Sequence, residues 1–305
     1  VSKLRWVLGL VVIVASPPLA LAGAEGEYTI RSNPSEVRVF FTAADGGHTI
    51  GNLEPKDVAV IDNGNVIRRF RSFGRASEAP VHAVILIDAS DSVAKQVASE
   101  FEVVRRFAQS SKWRTSDQLS IMSFGGPAVS TICKLTCLKE PTSLLRTAAG
   151  STTPLYDALI AAVDLLEKSR NEESRSVIFL ISDGSDNCST HGFQDAIAAA
   201  HKVEVSVYTF NSHIDTGDGR GEGTLEAIAA ETGGVARAMG KSAADVLSAA
   251  LDNFREAFML VYELPHFAFL RHDIEVVPAL NPRLHFHSRR QYRNAGSASA
   301  VTDML

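Results

Sequence analysis

Asp88-Ala89-Ser90-Asp91-Ser92 follows an apolar run that ends at Ile87 and precedes a stretch with helical spacing. In a turn between a strand and a helix, the side chains of Asp88, Ser90 and Ser92 stand at alternate positions and can converge on one point. They offer one carboxylate and two hydroxyls, hard oxygen donors suited to magnesium, calcium or manganese. The spacing by itself is a weak signal, because Asp and Ser are also preferred at helix N-caps. Its place at the carboxyl end of a buried strand gives it weight. Two other segments bring oxygen to the same kind of position. Ile178-Phe179-Leu180-Ile181-Ser182-Asp183-Gly184 is a second apolar run, ending in an acid followed by glycine. Gly150-Ser151-Thr152-Thr153-Pro154 puts hydroxyls in a loop that enters a helix.

Such donors need a frame, and the pattern around them supplies one. Val81 to Ile87 is a nearly continuous apolar run, as a strand buried on both faces should be. From Val93 to Ser110, Val93, Val97, Phe101, Val104, Phe107 and Ala108 recur at helical spacing. Gln118–Phe124, Ser176–Ser182 and Val203–Phe210 read as further strands. Leu155–Leu166, Phe193–His201, Leu225–Glu231 and Ala243–Phe258 read as helices, and Gly233-Gly234-Val235 leads into a last short strand. The alternation predicts an α/β fold, a doubly wound and mostly parallel sheet of Rossmann-like type. Sites in such sheets lie at the carboxyl ends of the strands, here the loops after Ile87, Phe124 and Ile181.

The flanks read differently. Glu36 to Phe41 alternates polar and apolar residues, and Val58–Ile61 is a second strand-like run. Asp62-Asn63-Gly64-Asn65 follows, where Asn-Gly supplies the positive φ of a tight hairpin, with Val66–Phe70 as the returning strand. After Tyr262, His272–Val277 and Arg283–Ser288 again alternate like strands, and the chain beyond Asn294 is rich in Ser and Ala. The expected organisation is a leader over 1–22, a small β module over 23–78, the α/β domain over 79–259, and C-terminal strands with a frayed tail over 260–305. Lys3 and Arg5 before the apolar run Trp6–Val14, then Pro17-Pro18 and Ala20-Leu21-Ala22, form a Sec-type signal peptide with cleavage after Ala22. The alternative is an uncleaved anchor, against which Pro17 and Pro18 would break a spanning helix. A cleaved leader implies a secreted or periplasmic protein with no membrane span.

Composition narrows the classes. Hydrophobic residues at 45% allow a real core, and the formal net charge of −5 gives no basic surplus for nucleic acid. Three cysteines are too few to build a disulfide scaffold. In an exported protein Cys133 and Cys137 can pair across a three-residue turn, although about 13 Å would separate them on a straight strand. A bridge from Cys188 to either of them is the alternative. His285 and His287 share one strand face, read as an exposed polar face rather than a transition-metal pair. The alternate glycines Gly217, Gly219, Gly221 and Gly223 read as a flexible loop. Arg289 and Arg290 are too few for a nucleic-acid patch.

The three donor segments together resemble the von Willebrand factor type A domain and its metal-ion-dependent adhesion site, over roughly residues 80 to 258. Leu225 to Gly234 resembles that family's segment from a helix to the last strand. The resemblance implies that Ser90 and Ser92 ligate a divalent ion directly, that Thr153 is the loop threonine, and that Asp88 and Asp183 bind directly or through water. Thr152 is adjacent, so the register of that loop stays open. Magnesium is the ion implied, with manganese or calcium as alternatives. An open coordination position would take a carboxylate from a partner protein. The flanks, Val37-Arg38-Val39-Phe40 to Asp62-Asn63-Gly64 and His272 to Tyr292, resemble a group of exported bacterial proteins carrying this domain. Val58 departs from that group's pattern, in which an aromatic follows the acid.

The expected function is therefore a metal-dependent adhesion or protein-interaction module of the bacterial envelope, and not an enzyme. Neither a G-x-S-x-G elbow nor an H-E-x-x-H motif is present in the sequence. One alternative is a metal-dependent hydrolase or phosphotransferase with Asp88 as nucleophile, for which Ser90 stands where a second aspartate is expected. Another is a structural envelope component with a vestigial site. Partner and oligomeric state are not written in the sequence.

Overall fold

Residues 36–46, 48–126, 128–134, 151–169, 174–212, 221–239, 243–263 and 271–293 are described by the computed structural model. All of them fall in one unit, Pro34–Leu305. The leader over 1–22, Cys137, the glycines at 217 and 219, and the tail after Asn294 lie outside the described residues.

Five strands come first: β1 (Glu36–Asp45), β2 (His48–Thr49), β3 (Val58–Asp62), β4 (Asn65–Ile67) and β5 (Ser72–Arg75). The α/β part follows with β6 (Val81–Asp88), α1 (Ala94–Ala108), β7 (Gln118–Gly125), β8 (Ala128–Cys133), α2 (Leu155–Ser169) and β9 (Arg175–Ser182). It continues with α3 (Phe193–Lys202), β10 (Ser206–Asn211), α4 (Glu222–Thr232), β11 (Ala236–Ala238) and α5 (Ala243–Arg255). The chain then returns to strands β12 (Phe258–Glu263), β13 (Arg271–Pro278), β14 (Leu284–Ser288) and β15 (Gln291–Arg293).

The central sheet has the order β11-β10-β9-β6-β7-β8, parallel throughout except for the antiparallel pair β7–β8. Every residue of β6 and of β9 is buried. Side chains alternate across the sheet, so Ile85 and Ile87 face α1 and α5 while Val84 and Leu86 face α2, α3 and α4. Both faces are therefore apolar, which explains why these strands read as unbroken hydrophobic runs. The first core gathers Phe101, Val104 and Phe107 of α1 with Leu251 and Phe254 of α5; the second gathers Leu155, Leu159, Ile197 and Ile228. Truncating Ile87 to Ala would cost about 2–5 kcal/mol, since the sheet cannot collapse into the gap.

The remaining strands interleave from both ends of the chain. β1 pairs with β12 on one side and β14 on the other, and β3 pairs with β13, all antiparallel. Val37, Val39, Phe41 and Ala43, at alternate positions of β1, are buried with Val60, Phe258, Leu260, Tyr262 and Val276 in a third core. Inside it, Tyr262 Oη donates to Asp62 Oδ2 at 2.7 Å, so the buried acid has its partner. The hairpin expected at Asn63-Gly64 forms, with φ of 46° and 80° at those two residues.

Several boundaries differ from the sequence expectation. Helix α5 ends at Arg255 rather than running to Phe258, because Phe258 opens β12 and pairs with Phe41. The strand expected over Val66–Phe70 stops at Ile67, and β5 beyond it pairs with β12 instead. Val203 and Glu204 form a turn, with Glu204 at φ 58°, so the strand there begins at Ser206. Strand β8, not expected at all, is an edge strand joined to β7 with an irregularity between Ile121 and Met122.

Candidate metal centre

The site is assembled where β6, β7 and β9 end. Asp88, the last residue of β6, is fully buried, and both its carboxylate oxygens are engaged. The Ser90 N–H donates to Oδ1 at 2.9 Å, which folds the turn back on itself. Ser182 Oγ, at the end of β9, donates to Oδ2 at 2.7 Å and in turn accepts from the Gly184 N–H at 3.0 Å. Ser90 is buried while Ser92 is exposed, and their hydroxyl oxygens lie 3.0 Å apart. The D-x-S-x-S spacing thus grades from a buried carboxylate to a solvent-facing hydroxyl.

Close approach of the backbone fixes this turn. Ala89 N–H donates to Phe124 O at 2.7 Å, and a Cβ on Gly125 would meet the Ala89 carbonyl carbon at 2.8 Å. With φ at +154°, Gly125 also adopts a backbone that side chains disfavour.

Thr153 is buried, and a two-bond clamp holds it to the loop after β9. Its N–H donates to Asn187 Oδ1 at 2.7 Å, and its carbonyl accepts from the Asn187 N–H at 3.1 Å. The neighbouring Thr152 carbonyl accepts from the Gly126 N–H at 2.8 Å. Asp186 Oδ1 accepts from the Leu155 N–H at 2.9 Å and caps the start of α2. Asp157 reaches back to the N–H groups of Thr190 and His191. The residues after Asp183 and those from Thr153 into α2 are therefore tied together at the sheet's carboxyl end. Asp183 itself is half-buried, and its Oδ1 accepts from the Ser185 N–H at 2.9 Å.

Electrostatics set this end apart. Burial pushes the Asp88 carboxyl above the usual range, and the nearby Asp183 charge pushes the same way, while bonds from Ser90 and Ser182 oppose them. Glu100 of α1, buried beside them, is pushed up to about 8 by burial and then by Asp88 and Asp183. Among the described residues, the groups acting on Asp88 and Glu100 are hydroxyls, amides and other carboxylates. Acids held this way lack a counter-charge that a divalent cation would supply, and the hydroxyls of Ser90, Ser92 and Thr153 are hard donors of matching type. The donor set fits such an ion. Among the described residues, no three His, Cys, Asp or Glu side chains gather as a cage, so any such site relies on hydroxyls beside two carboxylates.

All five sequence candidates thus come to one end of the sheet. Sequence reasoning missed Ser182, Asn187, Asp186 and Glu100. The first three stand inside or just after the Ser182-Asp183-Gly184 segment, and Glu100 announces itself as an acid on the apolar face of α1. Elsewhere, Cys133 is disulfide-bonded and Cys188 is an exposed free thiol, so the bridge from Cys188 does not form. His287, expected on an exposed face, is half-buried, and its Nε2 donates to the Gly234 carbonyl. Arg289 is buried, donating from Nη2 to Arg38 O at 2.9 Å. No described helix is long and apolar enough to cross a membrane.

Among solved structures, the conserved hypothetical protein BatB of Bacteroides thetaiotaomicron is similar at 20% identity and a TM-score of 0.40, over 57% of this chain and 98% of that one. Proximal thread matrix protein 1 of the mussel byssus is similar at 14% identity and a TM-score of 0.47, over 63% and 51%. An aerotolerance-related membrane protein from Bacteroides fragilis NCTC 9343, with multiple mutations to serines, is similar at 17% identity and a TM-score of 0.40, over 56% and 98%. No curated protein matches this chain. Residues 83–250, more than half of the sequence and the whole span from β6 into α5, match the von Willebrand factor type A domain. With a parallel sheet bearing Asp88, Ser90, Ser92, Thr153 and Asp183 at its carboxyl end, the chain belongs to the von Willebrand factor type A domain family.

Proposed function

We propose that this chain is a protein-interaction module of the bacterial envelope whose binding depends on a divalent cation, magnesium by preference. Asp88, Ser90, Ser92, Thr153 and Asp183 would hold the ion. Domains of this family often mediate protein–protein interaction. The observation that carries the reading is a buried Asp88, hydrogen-bonded to Ser90 and Ser182 and beside Asp183, with exposed Ser92 within hydroxyl contact of Ser90. Bound there, the ion would supply a positive field for a carboxylate of the partner. The chain's own part is to hold Thr153 against the segment after Asp183 through the Thr153–Asn187 clamp. The envelope location rests on the leader-like residues 1–22.

For the phosphotransfer alternative, Ser90 stands where a second aspartate would be expected. A pull-down from envelope extract tests the proposal. Partners recovered by the wild-type chain should be lost in EDTA and with Asp183→Ala; recovery unaffected by both would contradict it.

A further inference from the structure

Helix α1 turns an acid inward. Val97, Phe101, Val104 and Phe107 form its core-facing stripe, and Glu100 stands on the same face at 4% exposure. Removing a carboxylate from water without a partner costs several kcal/mol. Yet Glu100 Oε2 has no hydrogen-bond partner, and neither has the buried Gln96 Oε1 one turn earlier. Its electrostatic neighbours, Asp88 and Asp183, are themselves acids. Ser123 Oγ of β7 and Ser212 Oγ just past β10 are also buried without partners, at the same end of the sheet.

Gln96 Oε1 is an acceptor, and Glu100 becomes one as well once a divalent charge beside it displaces its proton, so with an ion in place this end of α1 takes a donor. Among the described residues Asp88, Asp183 and Glu100 do not gather as a three-acid cage, so Glu100 on α1 is read as standing behind the ion's ligands rather than among them. A water bound to a divalent ion is a strong donor, because the ion polarises its O–H bonds. Acceptors of this kind orient the inner ligands of metal sites and raise their affinity. Resting on the cation reading above, we infer that Glu100 is a positioning residue of that site. Its buried carboxylate accepts a hydrogen bond from a water of the hydrated ion and so raises the site's affinity for divalent cations.

The test is calorimetric titration of the full chain with manganese at one fixed pH, for wild type, Glu100→Gln and Asp183→Ala, with thermal unfolding of each in EDTA. Glu100→Gln should bind manganese about tenfold to a hundredfold more weakly. In EDTA it should melt at or above the wild-type temperature, since the amide keeps the shape and removes a buried acid. That pairing of weaker binding with undiminished stability is what a merely structural residue would not show. Asp183→Ala should not bind. If Glu100→Gln does not fold, Glu100→Leu, of similar bulk and at ease in an apolar setting, repeats the comparison. Equal manganese affinity in wild type and the Glu100 variant would overturn the role of Glu100 and leave the cation site standing. Affinity lost only in step with a lower melting temperature would overturn it as well. A wild-type chain that binds no manganese would overturn both readings.

Discussion

The two ends of strand β6 handle buried charge in opposite ways. At its amino end, Asp117 accepts from the Val81 N–H at 2.9 Å, the Arg114 N–H at 2.6 Å and Arg255 Nη2 at 2.5 Å. Arg175 lies between the Phe254 and Phe40 rings, 4.0 and 4.6 Å from their centroids, and donates to Phe254 O at 2.7 Å. That end carries an excess of base, since Arg255 keeps Nε and Nη1 without partners, and it spreads the excess over aromatic faces and carbonyls. At the carboxyl end, the acids Asp88, Asp183 and Glu100 stand together, and among the described residues the groups acting on Asp88 and Glu100 are hydroxyls, amides and other carboxylates. One end pairs its acid with Arg255 and stacks Arg175 on rings within the fold, and acts as structure. The other leaves its charges open to something from outside, which is the mark of a site.

The largest effect should come from breaking the closed end. Asp117→Ala strands Arg255 in the interior, so unfolding in urea should show a loss of about 3–5 kcal/mol, the same with and without magnesium. Next is pH. Glu100, with its carboxyl raised to about 8, holds a proton in the folded chain that the unfolded chain has released above about 4.5. The native state therefore binds more protons across that window, and stability falls as pH rises from about 4.5 to about 8. In EDTA the decline should be on the order of 3 kcal/mol, with Asp88 contributing in the same direction, and Glu100→Gln should flatten Glu100's share. At the basic end Arg175, lowered by burial to about 10, stays charged throughout, while buried His82, lowered by burial, works the other way, its neutral form favoured in the fold so that its share of stability grows as pH rises. Magnesium at a hundred times its dissociation constant should stabilise wild type by about 2.7 kcal/mol and leave Asp88→Asn unmoved, as read from melting curves. The smallest change is Phe40→Leu. It removes one ring from Arg175 and should cost about 1 kcal/mol without altering ion binding.

How legible each end was in the sequence follows from how local its interactions are. The Asp88 turn, the Ser182-Asp183-Gly184 strand end and the Asn63-Gly64 hairpin are encoded within a few residues, and the structure places them as the pattern implies. The Asp117–Arg255 pair joins positions 138 residues apart, and the Arg175–Phe40 stack joins the α/β part to β1, so neither has a local signature. Strand β12 was hidden because Phe254 and Phe258 keep helical spacing, and only pairing with β1 decides the matter. Strand β8 is an edge strand with exposed Ser130 and Thr131, too polar to stand out as a run. Resemblance favours Thr153 over the adjacent Thr152, and the backbone bonds that tie it to Asn187, 34 residues on, have no local signature. Glu100 was legible in principle, as an acid within an apolar stripe, but its meaning needed the other two acids in place.

Equilibrium dialysis of the full chain against manganese, followed by elemental analysis, tests the central claim most directly. One ion retained per wild-type chain, and none by Asp183→Ala of unchanged melting temperature in EDTA, is the result predicted. Retention of no ion at millimolar manganese, or equal retention by the variant, would contradict the account of the open, acidic end as a cation site.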